Sequence, residues 1–167
     1  MPPAPHPLTA PAISSLLSLQ AECADAATVF AAASALAAAC CGELRLVTVL
    51  RYREAEALVE RIYSSDPAYA TGGTKPLAQF PLNHAAMARG DTFLAATAAD
   101  VKAAFADHER LFQMGITAIL NSPVRHAGRR LGTLNLCGRD GQFGPAGVHA
   151  ARTIAVCLAP TLLRSIA

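Results

Sequence analysis

Tryptophan is absent from this chain, and aromatic residues of any kind make up only 5% of its 167 residues. The core must therefore be assembled from Leu, Ile and Val on closely packed helices and strands. Charge of one sign is lacking too. The formal net charge is +2 with both signs scattered, which argues against a nucleic-acid footprint. The short basic pair Arg129-Arg130 falls on an expected hairpin tip and reads as a solvated turn. No apolar run reaches the roughly 20 residues that span a bilayer. The N-terminus, MPPAPHPLTAPAISS, lacks the basic-then-apolar order of a signal peptide, and its prolines read as a flexible lead-in over 1–12. No CxxC occurs, which speaks against a zinc ribbon or a thioredoxin motif. The histidines are dispersed, so no metal site is expected. GGTK lacks the remaining residues of a phosphate-binding loop, and no Gly-x-Ser-x-Gly elbow occurs. No cofactor is implied.

Five cysteines are present: Cys23, Cys40, Cys41, Cys137 and Cys157. An odd count without disulfide-like spacing suggests reduced thiols and a cytoplasmic setting. Hydrophobic residues reach 53% and charged ones 16%, a globular composition. The length suits one domain, over 13–167.

Local signals give an order of elements. A first helix is expected after the lead-in, with Ser14 or Ser15 capping it, and a second from Asp25 to Cys41. Gly42 stops it. ELRLVTVLRY and EALVERIYSS read as two strands joined by a short connection. Strict alternation would put Arg61 and Tyr63 on one face of the second strand. Residues 66–81 carry Pro67, Gly72, Gly73, Pro76 and Pro81 and read as a long loop. LNHAAMARG is a short helix, DTFLAA a brief strand, and 97–115 one or two short helices, with Thr97 and Asp100 as a capping box. ITAILNSPV and LGTLNLCG form a hairpin. A last helix contains Pro160, which would kink or split it. The pattern is α+β, an antiparallel sheet with terminal helices on one face.

SPVRHAGRRLGTLNLCGRDGQFGPAGVHAARTIA resembles the C-terminal half of a GAF domain. A strand ending in Pro-Val leads into a hairpin whose second arm reads Leu-Gly-Thr-Leu-Asn-Leu. Phe143 and then a helix follow. The upstream order is similar, so the resemblance covers roughly residues 15–165. It implies a five- or six-stranded antiparallel sheet, with terminal helices on one face and a small-molecule pocket closed by short helices and loops on the other. GAF domains bind ligands as different as cyclic nucleotides, bilins and 2-oxoacids, and a few reduce free methionine sulfoxide, so the fold does not fix function. The cyclic-nucleotide signature is missing. Cys137 is followed by Gly138 and not by the histidine of a bilin site. No cysteine lies between 41 and 137, which makes the sulfoxide chemistry doubtful. No kinase, phosphodiesterase or DNA-binding module is attached, so a stand-alone domain is expected.

In that fold, the strand 58–65 would end beside the pocket and residues 66–81 would form part of its wall. Tyr63, Ser64, Ser65 and Lys75 would offer a ring, hydroxyls and a charge to a carboxylate, phosphate or polar ring substituent. Equally, Ser-Ser-Asp-Pro is good turn chemistry and the glycines suit a solvated loop. Asn121 and Asn135 interrupt apolar strands. A three-residue hairpin loop would set them opposite each other beside Thr133; a two- or four-residue loop would offset them. They would bind a ligand edge or satisfy loop backbone. His108 would be a lid residue able to act as base or bind an anion, or a half-exposed helix residue. His84 is expected at the surface.

The leading expectation is a domain that binds a small polar or aromatic molecule through Tyr63, Ser64, Ser65, Lys75, His108, Asn121 and Asn135. A second is a cofactor-free lyase or hydrolase with His108 or Tyr63 moving the proton. A third is a homodimeric scaffold pairing through the alanine-rich terminal helices. No nucleic-acid or membrane partner is expected.

Overall fold

Alanine-rich helices begin and close the chain, and a sheet stands between them. The computed structural model describes residues 5–166; the first residues of the proline-rich lead-in, 1–4, lie outside the described residues. Helix α1 spans Ala10–Glu22 and α2 spans Ala26–Cys41. The cap of α1 is Thr9, whose hydroxyl accepts from the Ala12 N–H, and not Ser14 or Ser15. The helix therefore starts inside the stretch expected as lead-in. Ser15 instead donates to the Pro11 carbonyl, as a mid-helix serine can. Asp25 caps α2 by accepting from Ala27 and Thr28, and Gly42 closes it.

Strands β1 (Leu46–Arg53) and β2 (Leu58–Ser64) form a hairpin. The long loop contains a third strand, β3 (Thr74–Pro76), which pairs with the outer edge of β2. Then come α3 (Pro81–Arg89), β4 (Phe93–Ala95), α4 (Ala98–Ala104) and α5 (His108–Gln113). The Thr97–Asp100 capping box is present at α4. Strands β5 (Ala118–His126) and β6 (Arg129–Gly138) precede α6 (Pro145–Cys157) and α7 (Ala159–Ile166), which meet at a bend of 45° next to Pro160.

The six strands run in the order β3-β2-β1-β6-β5-β4, and every pairing is antiparallel. Period-two alternation divides the sheet. Val47, Val49, Leu120, Leu134 and Leu136 point to one face and pack on α1, α2, α6 and α7. Leu46, Ile119 and Cys137 point to the other and pack with Val101 of α4, Phe105 at its C-cap and Leu111 of α5. Gly132 joins β6 to β1 closely. A Cβ there would lie 2.0 Å from the Leu50 carbonyl oxygen and 2.7 Å from Leu162. That close approach accounts for the glycine in Leu-Gly-Thr-Leu-Asn-Leu. No single helix among the described residues is long and apolar enough to cross a membrane.

Candidate ligand cavity

The sheet face away from the terminal helices, roofed by α3, the α4–α5 turn, α5 and the β2–α3 connection, holds a cavity of about 100 Å³. Its floor is Leu46, Thr48 and Leu50 of β1 with Thr133, Asn135 and Cys137 of β6. Phe80, Phe105, Leu77 and Leu111 supply apolar walls.

A line of amides crosses this floor. Asn83 Nδ2 at α3 donates to Asn121 Oδ1 at 2.6 Å, Asn121 Nδ2 to Asn135 Oδ1 at 2.5 Å, and Asn135 Nδ2 to Thr48 Oγ1 at 3.2 Å. The two central asparagines are direct cross-strand partners. The turn that achieves this has two residues, Ala127 and Gly128, both at positive φ (47° and 77°). A two-residue turn alone would offset the pair. The register shift between Val124 and Arg125 restores it, because β6 carries one extra residue there.

A second shift, between Val49 and Leu50, decides the far wall. Val49 faces Tyr63 and Leu50 faces Arg61, so Ile62 is the extra residue of a bulge. Consequently Arg61 and Tyr63 lie on opposite faces, contrary to strict alternation. Tyr63 packs on Phe30 of α2, with ring centroids 5.9 Å apart. Arg61 lines the cavity instead, stacked 3.7 Å above the Tyr69 ring and donating from Nη1 to the Ala70 carbonyl at 2.6 Å. Gly73 leaves room for it, since a Cβ there would sit 3.1 Å from Arg61 Nη1.

Lys75, on β3, pairs with Asp107 Oδ2 at 2.5 Å and lies 3.5 Å from the Tyr69 hydroxyl. Thus Lys75, Asn121 and Asn135 come together in the cavity, and Tyr63, Ser64, Ser65 and His108 are not among its lining residues. Ser64 Oγ turns back to the Asp66 backbone, donating to its carbonyl at 2.9 Å. Ser65 Oγ accepts from the buried Val47 N–H at 2.9 Å. His108 Nδ1 is 3.0 Å from the Phe105 carbonyl and its ring meets Phe112 edge-on.

Four lining residues were not among the expected site residues: Arg61, Tyr69, Asn83 and Asp107. His84 lines the rim rather than the open surface, and its Nε2 accepts from Arg130 Nη1 at 3.1 Å. Arg130 is no solvated turn residue; it also pairs with Glu54 at 3.1 Å and lies over the Tyr52 ring. Burial pushes the Cys137 thiol up to about 12, with Asp107 adding to the shift and Lys75 opposing it. The thiol on the floor is therefore neutral at ordinary pH. Three lining side chains keep a buried polar atom without a hydrogen-bond partner among the described residues: Arg61 Nε, Asp107 Oδ1 and Thr133 Oγ1. No trio of His, Cys, Asp or Glu among the described residues is placed to hold a metal ion.

No protein-family model and no curated protein matches this sequence. Solved structures do match in shape. The GAF domain of a phosphoenolpyruvate-protein phosphotransferase from Coxiella burnetii superposes with a TM-score of 0.76 over 93% of both chains, at 11% identity. The chain has the GAF fold. Free methionine-R-sulfoxide reductase from Neisseria meningitidis, solved with its substrate, matches at a TM-score of 0.71 and 16% identity over 98% of this chain and 99% of that one. The chromophore-binding domain of a bacteriophytochrome from R. palustris matches at 0.70 and 13% identity; 94% of this chain is covered, and it spans 62% of that one. The six-stranded antiparallel sheet with helices packed on both faces is the GAF α+β arrangement, as the sequence resemblance implied.

Proposed function

We propose that this GAF-fold chain is a binding module that takes up a small molecule in the cavity and serves as a ligand sensor or regulatory domain. The observation that carries this reading is the set of unpaired polar atoms on Arg61, Asp107 and Thr133 in a largely apolar cavity whose other polar groups are for the most part bonded to one another. A buried polar atom left without a partner costs about 1–3 kcal/mol. A folded chain keeps such atoms where something else completes them. The pocket also has the usual make-up of a ligand site, with aromatic and aliphatic walls and a few convergent polar groups. Two neighbours in shape, a chromophore-binding domain and a reductase solved with its substrate, hold small molecules. Neither proton-transfer candidate, His108 or Tyr63, lines the cavity, so binding is better supported than turnover.

The test is to incubate the purified chain with a bacterial metabolite extract and to identify retained compounds by mass spectrometry. The control is Leu77→Trp, which narrows the cavity from a half-buried rim position. Stoichiometric retention of a compound by the wild type alone supports the reading. Conversion into a matched product would replace binding with catalysis. Equal retention by both proteins, or none by either, would sink the cavity as the site.

A further inference from the structure

The cavity's charges and unpaired atoms narrow the chemistry of what it takes, on the reading that the cavity is the binding site. Its lining holds two cations, Arg61 and Lys75, against one carboxylate, Asp107. Arg130, just outside, is matched by Glu54. One positive charge is therefore left over, and it belongs to Arg61, which has no ion-pair partner among the described residues. A cation in an apolar cavity favours one opposite charge.

The unpaired atoms refine this. Arg61 Nε donates to nothing, and Asp107 Oδ1 accepts from nothing. Both belong to one cluster around Tyr69. Arg61 lies on its ring face, and Lys75, near its hydroxyl, holds the other oxygen of Asp107. An occupant that completes both atoms presents an acceptor to Arg61 and a donor to Asp107. The donor has to be neutral, because an ammonium would meet the Lys75 ammonium on the same carboxylate. A phosphate monoester would bring a second negative charge that no third lining cation meets. Size sets a last limit. About 100 Å³ is of the order of an engineered apolar cavity of about 150 Å³ that binds benzene, so the occupant has a compact body.

We propose that the cavity's ligand is a small monocarboxylic acid with a compact apolar body and a neutral hydrogen-bond donor, a hydroxyl or an amide N–H. Its carboxylate sits on Arg61, its donor on Asp107 Oδ1, and its body against Phe80, Phe105 and Leu111. The amide line on the floor fixes its plane.

The experiment is titration calorimetry of the full chain with two matched probe sets. One is leucic acid, isocaproate, isohexanol and leucine; the other is para-hydroxybenzoate, benzoate and para-cresol. In at least one set the hydroxy acid binds about fivefold or more tightly than the acid lacking the hydroxyl, as expected for one buried hydrogen bond. It binds roughly tenfold or more tightly than the uncharged alcohol or phenol, as a charge-assisted contact implies. Leucine binds more weakly than leucic acid. Arg61→Gln lowers acid affinity about tenfold and leaves the uncharged probes unchanged. Arg61→Lys, which keeps the charge and loses Nε, lies between. Asp107→Asn strengthens binding of the plain acids and narrows the preference for the hydroxy acids. Equal binding of acids and uncharged probes would overturn the anion assignment. Tightest binding by leucine would overturn the neutral donor. If no probe binds at low millimolar concentration the class is wrong; Leu77-dependent retention from extract would still stand, so the two failures are distinguishable.

Discussion

Asn121 donates from Nδ2 to Oδ1 of Asn135 at 2.5 Å across the β5–β6 pair, and each amide is bonded again, to Asn83 and to Thr48. Both side chains are buried, with 3% and 6% of their surface exposed. Asn121→Ala would leave the Asn135 Oδ1 and the Asn83 Nδ2 without their present partners. The expected cost is about 1–3 kcal/mol, or a fall in Tm of roughly 2–4 °C for each kcal/mol in a domain of this size. A double-mutant cycle with Asn135→Ala should give a coupling of about 0.5–3 kcal/mol. Additive losses in thermal unfolding would mean that the amides act separately.

The β5–β6 turn asks Ala127 to hold φ at 47°. An L-residue with a Cβ is strained there by about 1–2 kcal/mol, whereas Asn is well suited to the first position of an Asn-Gly turn. Ala127→Asn should therefore raise stability by about 0.5–1 kcal/mol in urea unfolding without moving the register. The bulge at Leu131, two residues into β6, keeps Asn121 opposite Asn135. Destabilisation would show that the turn relaxes in solution to another geometry.

Legibility followed the range of the interaction. The caps at Asp25 and Thr97 depend on side chains within three residues, and both stood in the sequence. The main hairpin showed in its alternation. What stayed hidden depends on pairing across the sheet. Strand β3 is three residues long, too short for any period, and exists because β2 offers it an edge. The bulge at Ile62 exchanges the faces of Arg61 and Tyr63, and nothing local marks it. The register of Asn121 and Asn135 needed a turn and a bulge together. The site was half visible for the same reason. Lys75, Asn121 and Asn135 are polar interruptions that the sheet happens to gather. Tyr63, expected at the pocket, turns to the helix layer while Arg61, expected on its face, lines the cavity, and Asp107 meets Lys75 only across 32 residues.

Buried acids that stay protonated make the fold sensitive to alkali. Burial raises Cys137 from 9.0 to about 12, Cys41 from 9.0 to about 11 and Tyr52 from 10.0 to about 12. Above 9.0 the unfolded chain releases thiol protons that the folded chain keeps. The unfolded state then binds fewer protons, so stability falls as pH rises, by about 1.4 kcal/mol per pH unit for each such group. The loss ends once pH passes the folded value. Urea unfolding from about pH 8 to about pH 11 should show this decline, and Cys137→Ala should lessen its slope by one proton. An unchanged slope would mean that the Cys137 thiol ionises equally in both states.

Ser65 and Lys75 should separate fold from binding. Ser65 meets Val47 twice: its N–H donates to the Val47 carbonyl and its Oγ accepts from the Val47 N–H, both at 2.9 Å. Val47 is 2% exposed, so water has little access to replace the lost acceptor. Ser65→Ala should cost about 1–3 kcal/mol of stability and leave affinity for para-hydroxybenzoate unchanged at a temperature where the variant is folded. Lys75→Ala removes a cation from the cavity and frees the Asp107 charge to repel an anion. It should lower that affinity about tenfold, because Arg61 and Asp107 then cancel and the cavity keeps no net positive charge for the anion. Calorimetry beside thermal unfolding reads both effects. If Ser65→Ala weakens binding with Tm unchanged, the hydroxyl belongs to the site, and its bond to Val47 must open when ligand enters.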